Sequence, residues 1–151
     1  MKTLVVYDSL YGNTGKIAQA IGDALTGEVK VLRVGEVNPS ELQAFDLLIV
    51  GSPTHGGRPS PPMREFLDKV QAPALEGTSV AAFDTRLTSK LTVIFGYAAG
   101  RIAGSLKKKG GTLIVSPEGF LVTGTEGPLK EGELERAAGW AREIVETKKS
   151  W

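Results

Sequence analysis

Cysteine is absent from this 151-residue sequence. Disulfide bonds, thiolate metal sites, cysteine-ligated iron–sulfur clusters and cysteine nucleophiles are therefore excluded. Histidine occurs once, and the carboxylates show no metal-ligand spacing, so no metal site is predicted. Long apolar runs are missing too, which argues against a signal peptide or a membrane span and makes a cytoplasmic location the expectation.

The sequence also lacks an excess of charge of either sign. Lys and Arg number 18 against 17 Asp and Glu, a formal net charge of +1. Nothing electrostatic therefore favours nucleic acid or a membrane surface as a partner. Apolar residues make up 41% of the chain, as in ordinary globular proteins, and at this length we expect one domain over residues 1–151.

Short apolar runs and helical patterns alternate along the chain. Strands are predicted at residues 4–7, 29–34, 46–51, 79–83 and 112–115, with a break at Pro117 before a candidate continuation at 119–122. The run 46–51 is continuously apolar, as in a central parallel strand, whereas 29–34 alternates, as in an edge strand. The residues from Asp84 to Thr92 are predicted to form a loop.

Apolar residues spaced three and four positions apart predict four helices. Their inward faces are expected to be Ile17, Ile21, Ala24 and Leu25; Met63, Phe66, Leu67 and Val70; Ala99, Ile102, Ala103 and Leu106; and, in a last helix from about 133 to 146, Leu134, Ala138, Ala141 and Val145. Strands alternating with helices indicate a parallel sheet covered on both faces. Ligands of such sheets bind beyond the carboxyl ends of the strands.

The turn after the first strand is the first candidate site. Ser9, Gly12, Asn13 and Thr14 stand between the strand and the start of a helix, where unpaired N–H groups and a partial positive charge can hold a phosphate. The spacing matches neither a Walker loop nor the dinucleotide fingerprint. An ordinary capped helix after a strand is the alternative interpretation.

Two further loops lie at the same edge of the predicted sheet. The loop from Gly51 to Pro59 is long and rich in glycine, so its backbone can approach a flat ligand closely. It contains His55, for which a surface residue without a role is the alternative. The loop after Phe83 carries Asp84, Thr85 and Arg86, where an exposed Asp–Arg ion pair is the alternative to ligand binding.

These motifs resemble those of the flavodoxin family. The family's phosphate pattern, Ser/Thr-x-Thr-Gly-x-Thr, falls on residues 9–14, with Tyr11 where a Thr is common, and Gly-Ser-Pro-Thr falls on residues 51–54. The resemblance implies FMN as cofactor and a three-layer α/β/α sandwich with a five-stranded parallel sheet in the order 2-1-3-4-5. It implies three groups of contacts: Ser9, Leu10, Tyr11, Gly12, Asn13 and Thr14 at the phosphate; Pro53, Thr54, His55, Gly56 and Gly57 at one ring face and the N5 edge; and Asp84, Thr85 and Arg86 at the pyrimidine edge.

The implied function is electron transfer between redox partner proteins by a monomer or weak dimer, with no catalytic side chain of its own. Two departures bear on this. No aromatic residue follows the fourth strand to stack on the outer flavin face, although Tyr97 is a candidate, and the chain is near neutral where the family is usually acidic. An NAD(P)H-dependent FMN or quinone reductase and a binding module without redox activity are the alternatives.

Overall fold

A computed structural model describes residues 1–87 and 97–150. Its strands are β1 (Lys2–Tyr7), β2 (Glu28–Arg33), β3 (Leu47–Pro53), β4 (Ser79–Arg86), β5 (Thr112–Leu113) and β6 (Glu118–Leu121). Its α-helices are α1 (Asn13–Ala24), α2 (Pro61–Lys69), α3 (Ala98–Lys108) and α4 (Glu133–Lys149), and short 3-10 helices cover Val34–Glu36 and Pro39–Ala44.

The strands form one parallel sheet in the order β2-β1-β3-β4-β5. The predicted order 2-1-3-4-5 is therefore confirmed. The fifth position of the sheet is divided between two strands, because β5 pairs with the beginning of β4 and β6 pairs with its end. Pro117 lies in the gap between them, as the break in the apolar pattern predicted. β1 and β3 are flanked on both sides, so the loops that follow them meet at one edge of the sheet.

Among the described residues, two helices cover each face of the sheet. Alternate residues of β4 show the division: Val80 and Ala82 pack in one core with α2 and α3, whereas Ala81 and Phe83 pack in the other with α1 and α4. In the second core Phe83, Phe120 and Trp140 meet edge to face, with ring centroids 6.0–6.1 Å apart. This geometry adds to the hydrophobic contribution of the rings.

The predicted inward face of the last helix was partly wrong. Leu134 is 46% exposed, and the buried residues of α4 are Glu133, Ala137, Trp140, Ala141, Ile144 and Val145. The cause is a polar contact at the start of the helix, where the Glu133 carboxylate accepts a hydrogen bond from the Leu121 N–H of β6 at 2.7 Å. With Glu133 turned inward, residues four, seven, eight and eleven positions later face the core.

The end of β4 was also predicted wrongly. Asp84, Thr85 and Arg86 continue the strand and do not begin a loop, because β6 pairs with them in parallel register. Positions 88–92 of that predicted loop lie outside the described residues. In the described part of the chain, no helix is long and apolar enough to cross a membrane.

Candidate cofactor site

The turn between β1 and α1 is organised by one hydroxyl group. The Ser9 Oγ accepts hydrogen bonds from the backbone N–H groups of Gly12, at 3.0 Å, and Gly15, at 3.3 Å. Gly12, which precedes the helix, has φ +92°, a conformation that glycine adopts without strain. Ser9 is 7% exposed. Its oxygen therefore holds the turn closed, and its hydroxyl hydrogen is left to donate elsewhere.

Several backbone N–H groups of this turn have no acceptor among the residues that the structure describes. The first N–H groups of a helix lack partners within the helix. In the part of the chain that the structure describes, those of Leu10, Tyr11, Asn13 and Thr14 donate no hydrogen bond to the protein. The helix dipole adds positive potential at the same point. The turn therefore offers a group of backbone donors suited to an anion.

The Thr14 side chain connects this turn to β4. It is 1% exposed, and its Oγ1 lies 2.7 Å from the Oγ1 of Thr85. The Asn13 side chain extends the connections further, donating from Nδ2 to the Glu126 carbonyl at 3.1 Å. The segment after β6 thereby becomes part of the same site.

The loop after β3 contains a tight hairpin. The backbones of His55 and Arg58 exchange two hydrogen bonds, at 2.8 and 3.0 Å, around Gly56 (φ +57°) and Gly57 (φ +79°). Both glycines take the positive φ that a two-residue turn of this kind requires. The Gly57 carbonyl accepts a hydrogen bond from Arg101 Nε at 2.8 Å, so α3 fixes the tip of the hairpin.

Thr54 fixes the base of the hairpin. Its N–H donates to the Thr85 carbonyl at 2.9 Å, and its Oγ1 accepts from the Ala98 N–H at the start of α3, at 3.1 Å. His55 itself is exposed. The loop predicted to cover a flat ligand is thus positioned by β4 and α3, and its histidine is exposed at the surface.

One cleft runs between these loops. Its lining consists of Ser9, Leu10, Tyr11, Asn13, Thr14, Pro53, Thr54, His55, Thr85, Val122 and Thr125. Nine of the fourteen predicted cofactor contacts are therefore brought together. Gly12, Gly56 and Gly57 lie in the same loops but not in the lining.

Val122 and Thr125 were not among the predicted cofactor contacts, and the sequence left open what the segment 124–128 touches. The one signal for them is the turn-rich stretch 124–128, which ends a strand pattern. In the structure an isolated bridge between Val122 and Leu129 folds that stretch back towards the cleft.

Asp84 and Arg86 face away from this cleft. Because side chains alternate along a strand, Thr85 points to α1, whereas Asp84 and Arg86 point to α3. The Arg86 guanidinium binds both oxygens of Asp84, at 2.7 and 2.8 Å. The Asp84 side chain is fully buried and that of Arg86 is 19% exposed. The geometry therefore favours the alternative interpretation, in which Asp84 and Arg86 form an ion pair. The pair is buried, whereas an exposed one was considered from the sequence.

Two further contacts complete this cluster. An oxygen of Asp84 accepts from the Ala99 N–H at 2.9 Å, satisfying the first turn of α3. The Tyr97 ring lies against the Arg86 guanidinium, 3.4 Å from ring centroid to Cζ, so the aromatic candidate for the outer flavin face is stacked on an arginine. The cluster joins the end of β4 to the start of α3.

Comparison with known proteins agrees with this arrangement. A family model described as flavodoxin matches residues 5–140. The chain belongs to the flavodoxin family. An archaeal flavodoxin of known structure superimposes with a TM-score of 0.82 at 28% identity, over 99% of both chains. Flavodoxin 2 from Bacillus cereus gives 0.81 at 27% identity, over 97% of this chain and 99% of that one.

Curated relatives match over shorter segments. A flavodoxin of Aquifex aeolicus is 40% identical over 73 residues, 46% of this chain and 40% of the relative. An NAD(P)H dehydrogenase (quinone) of Archaeoglobus fulgidus is 33% identical over 95 residues, 44% of this chain and 50% of the relative. The chain thus spans about half the length of the curated relatives it matches. Flavodoxins bind FMN, which is the cofactor expected from the phosphate motif.

Proposed function

We propose that the protein carries electrons between redox partners on an FMN whose phosphate lies in the turn from Ser9 to Thr14. The observation that supports this most directly is the group of backbone N–H groups in that turn with no acceptor among the described residues. They lie at a helix start, beside two buried hydroxyl-bearing side chains. A dianionic phosphate satisfies such donors.

The residues present fit the cofactor. The cleft holds about 130 Å³, less than the roughly 300–1,000 Å³ of pockets that enclose a whole ligand. The phosphate end of a nucleotide suits this volume, and we infer that the ring system lies along the hairpin between His55 and Arg58. When bound, FMN supplies the ability to accept and release electrons.

The protein's own part is to bind and to orient. In this proposal Ser9 keeps the turn closed around the phosphate and donates its hydroxyl hydrogen outward. Thr54 and Arg101 hold the two ends of the hairpin, so that its peptide groups stay beside the cleft. Asp84 and Arg86 keep the start of α3 in place and supply no net charge to the site, since they neutralise each other.

The test is a fluorescence titration of the purified protein with FMN and with riboflavin, which lacks the phosphate. We expect FMN to bind at least tenfold more tightly than riboflavin, because the turn recognises the phosphate. Equal affinities would refute the phosphate turn. Failure to bind either flavin would favour a binding module without redox activity.

One observation favours a second function, an NAD(P)H-dependent quinone reductase. Several curated relatives carry that description, at 27–33% identity over about half of their length. Anaerobic addition of NADPH to the FMN-loaded protein separates the two. An electron carrier leaves the flavin oxidised until a reductase is added, whereas a reductase bleaches it directly. The partners, the cytoplasmic location and the monomeric or weakly dimeric state stay predictions.

A further inference from the structure

A second groove lies between α2 and α3, on the far side of the hairpin from the cleft. We call it the arginine groove; it holds about 250 Å³ and is lined by Arg58, Pro59, Arg64, Leu67, Asp68, Arg101 and Ser105. The lining thus contains three arginines and one aspartate. The three arginines come from the hairpin, from α2 and from α3. The positive charge is therefore brought together by the fold and not by a run of basic residues in the sequence.

Two of these arginines are available to a partner. Arg58 and Arg64 are exposed, and neither takes part in an ion pair within residues 1–87 and 97–150. Arg101 is held at the wall of the groove by its bond to the Gly57 carbonyl. Arg64 and Arg101 both lie in the early turns of their helices, where the helix dipoles add to the positive potential. The groove is therefore a local positive field on a chain with a net charge of only +1.

The groove and the cleft share the hairpin. His55 lines the cleft and Arg58, its hydrogen-bonded neighbour across the turn, lines the groove. A protein that covers the groove therefore contacts the hairpin, beside whose peptide groups we place the flavin ring. A docking surface for electron exchange needs this proximity.

We propose that the arginine groove docks an acidic surface of a redox partner protein. The proposal rests on the electron-carrier function above and names the charge of its partner. Arginine is enriched at protein interfaces, and complementary charge steers the encounter of weak, transient complexes. Guanidinium groups also bind phosphate, so a nucleotide is the competing occupant. The exposure of Arg58 and Arg64 on the surface beside the hairpin favours a protein partner.

The test measures binding with two protein probes by isothermal titration calorimetry in 10 mM salt. The acidic probe is a plant-type ferredoxin and the basic probe is cytochrome c. We expect the ferredoxin to bind and cytochrome c not to bind. Raising the salt to 200 mM, which shortens the Debye length from about 30 Å to below 10 Å, should weaken ferredoxin binding about tenfold or more.

A matched pair of double variants locates the surface. Arg58→Ala with Arg64→Ala should weaken ferredoxin binding about tenfold. Lys107→Ala with Lys108→Ala removes the same charge from the opposite end of α3, where both lysines are exposed, and should leave binding unchanged. Equal losses in the two double variants, or binding of cytochrome c in place of ferredoxin, would overturn the proposal.

Two additions separate the remaining outcomes. The calorimetry is run with and without added FMN, so that a failure of flavin binding, seen in the fluorescence titration, is distinct from a failure of docking. NADPH is added as a competitor. If it displaces ferredoxin, and its own affinity falls in the Arg58→Ala/Arg64→Ala variant, the groove is a nucleotide site and the docking proposal is wrong.

Discussion

The ends of β1 and β4 lie at the same edge of the sheet, with β3 between them, and their polar groups are satisfied in opposite ways. After β1, the turn from Ser9 to Thr14 leaves several backbone N–H groups with no partner among the described residues. At the end of β4, Asp84 and Arg86 satisfy each other and the start of α3. Both regions had been predicted to contact the cofactor. The first offers open backbone donors, whereas in the second the Asp84 carboxylate is already bound by Arg86 and the Ala99 N–H.

The difference follows from burial. A charged side chain that is removed from water is tolerated only when it is paired and hydrogen-bonded, so the fully buried Asp84 takes the nearest cation. Backbone N–H groups at an open helix start remain within reach of solvent or a ligand and can stay unpaired until one binds. Polar residues at a strand end thus indicate a binding site only when they are on the side that faces the cleft.

The largest expected effect comes from Asp84→Ala. The substitution leaves the Arg86 guanidinium without its carboxylate and the Ala99 N–H without its acceptor. Breaking a buried ion pair in this way should lower the free energy of unfolding by about 3 kcal/mol, measured in urea. FMN affinity of the folded protein should change little.

The double substitution Asp84→Ala with Arg86→Met is the control, because no charge is left unpaired. It should recover much of the lost stability. If Asp84→Ala left the protein stable but weakened FMN binding, the Asp84 carboxylate would act at the cofactor, and the contrast between the two strand ends would be wrong.

Ser9→Ala should have the next largest effect and act on the other region. The Oγ that orders the turn is lost, and the Gly12 and Gly15 N–H groups lose their acceptor. We expect FMN to bind about tenfold more weakly, about 1.4 kcal/mol, with riboflavin unaffected in the same fluorescence titration. Ser40→Ala, an exposed serine in a distant 3-10 helix, is the matched control. An equal loss for riboflavin would mean that Ser9 acts on the whole fold.

Thr85→Val cuts the contact between the two regions. It removes the hydroxyl that lies 2.7 Å from Thr14 Oγ1 and keeps the shape of the side chain. A buried neutral hydrogen bond contributes about 1 kcal/mol, so we expect a loss of that size in urea unfolding and a severalfold loss of FMN affinity. Unchanged FMN affinity would show that the Thr14 hydroxyl needs no support from β4.

Apolar continuity distinguishes the central run 46–51 from the alternating edge run 29–34, whereas the full sheet order was implied by the resemblance to the flavodoxin family. The sequence predicts the motif at Ser9 because its residues are local. It does not predict which side of β4 Asp84 faces, because that depends on how far the strand extends, and β6 decides this. The pairing of Arg64 with Arg101 in one groove depends on the packing of two helices that are distant along the chain. The burial of Leu134 was predicted wrongly for a similar reason. The hydrogen bond between its neighbour Glu133 and the Leu121 N–H sets the rotation of α4.

The smallest effect concerns a second carboxylate–arginine pair, Glu133 and Arg136, which lies at the start of α4 and contacts β6. Glu133 binds Arg136 and the Leu121 N–H as Asp84 binds Arg86 and the Ala99 N–H, but Arg136 is 41% exposed. Hydrogen bonding from Arg136 lowers the pKa of Glu133, against an opposing effect of burial. A lowered carboxyl pKa stabilises the fold above the unfolded pKa of about 4.3, and this stabilisation is lost as the pH falls through the folded value.

Glu133→Gln should therefore cost less than about 1 kcal/mol at pH 7, and the difference from the parent protein should shrink below pH 4.5, measured by urea unfolding across pH 3–7. Glu146→Gln, which removes an exposed ion pair with Lys149 at 3.6 Å, is the control for the loss of one surface carboxylate and should change the free energy of unfolding little at pH 7. If Glu133→Gln instead lowered the free energy of unfolding as much as Asp84→Ala, the difference in burial between Arg86 and Arg136 would not explain the difference in stability between the two pairs. The comparison of the strand ends would then need another cause, such as the stacking of Tyr97 on Arg86.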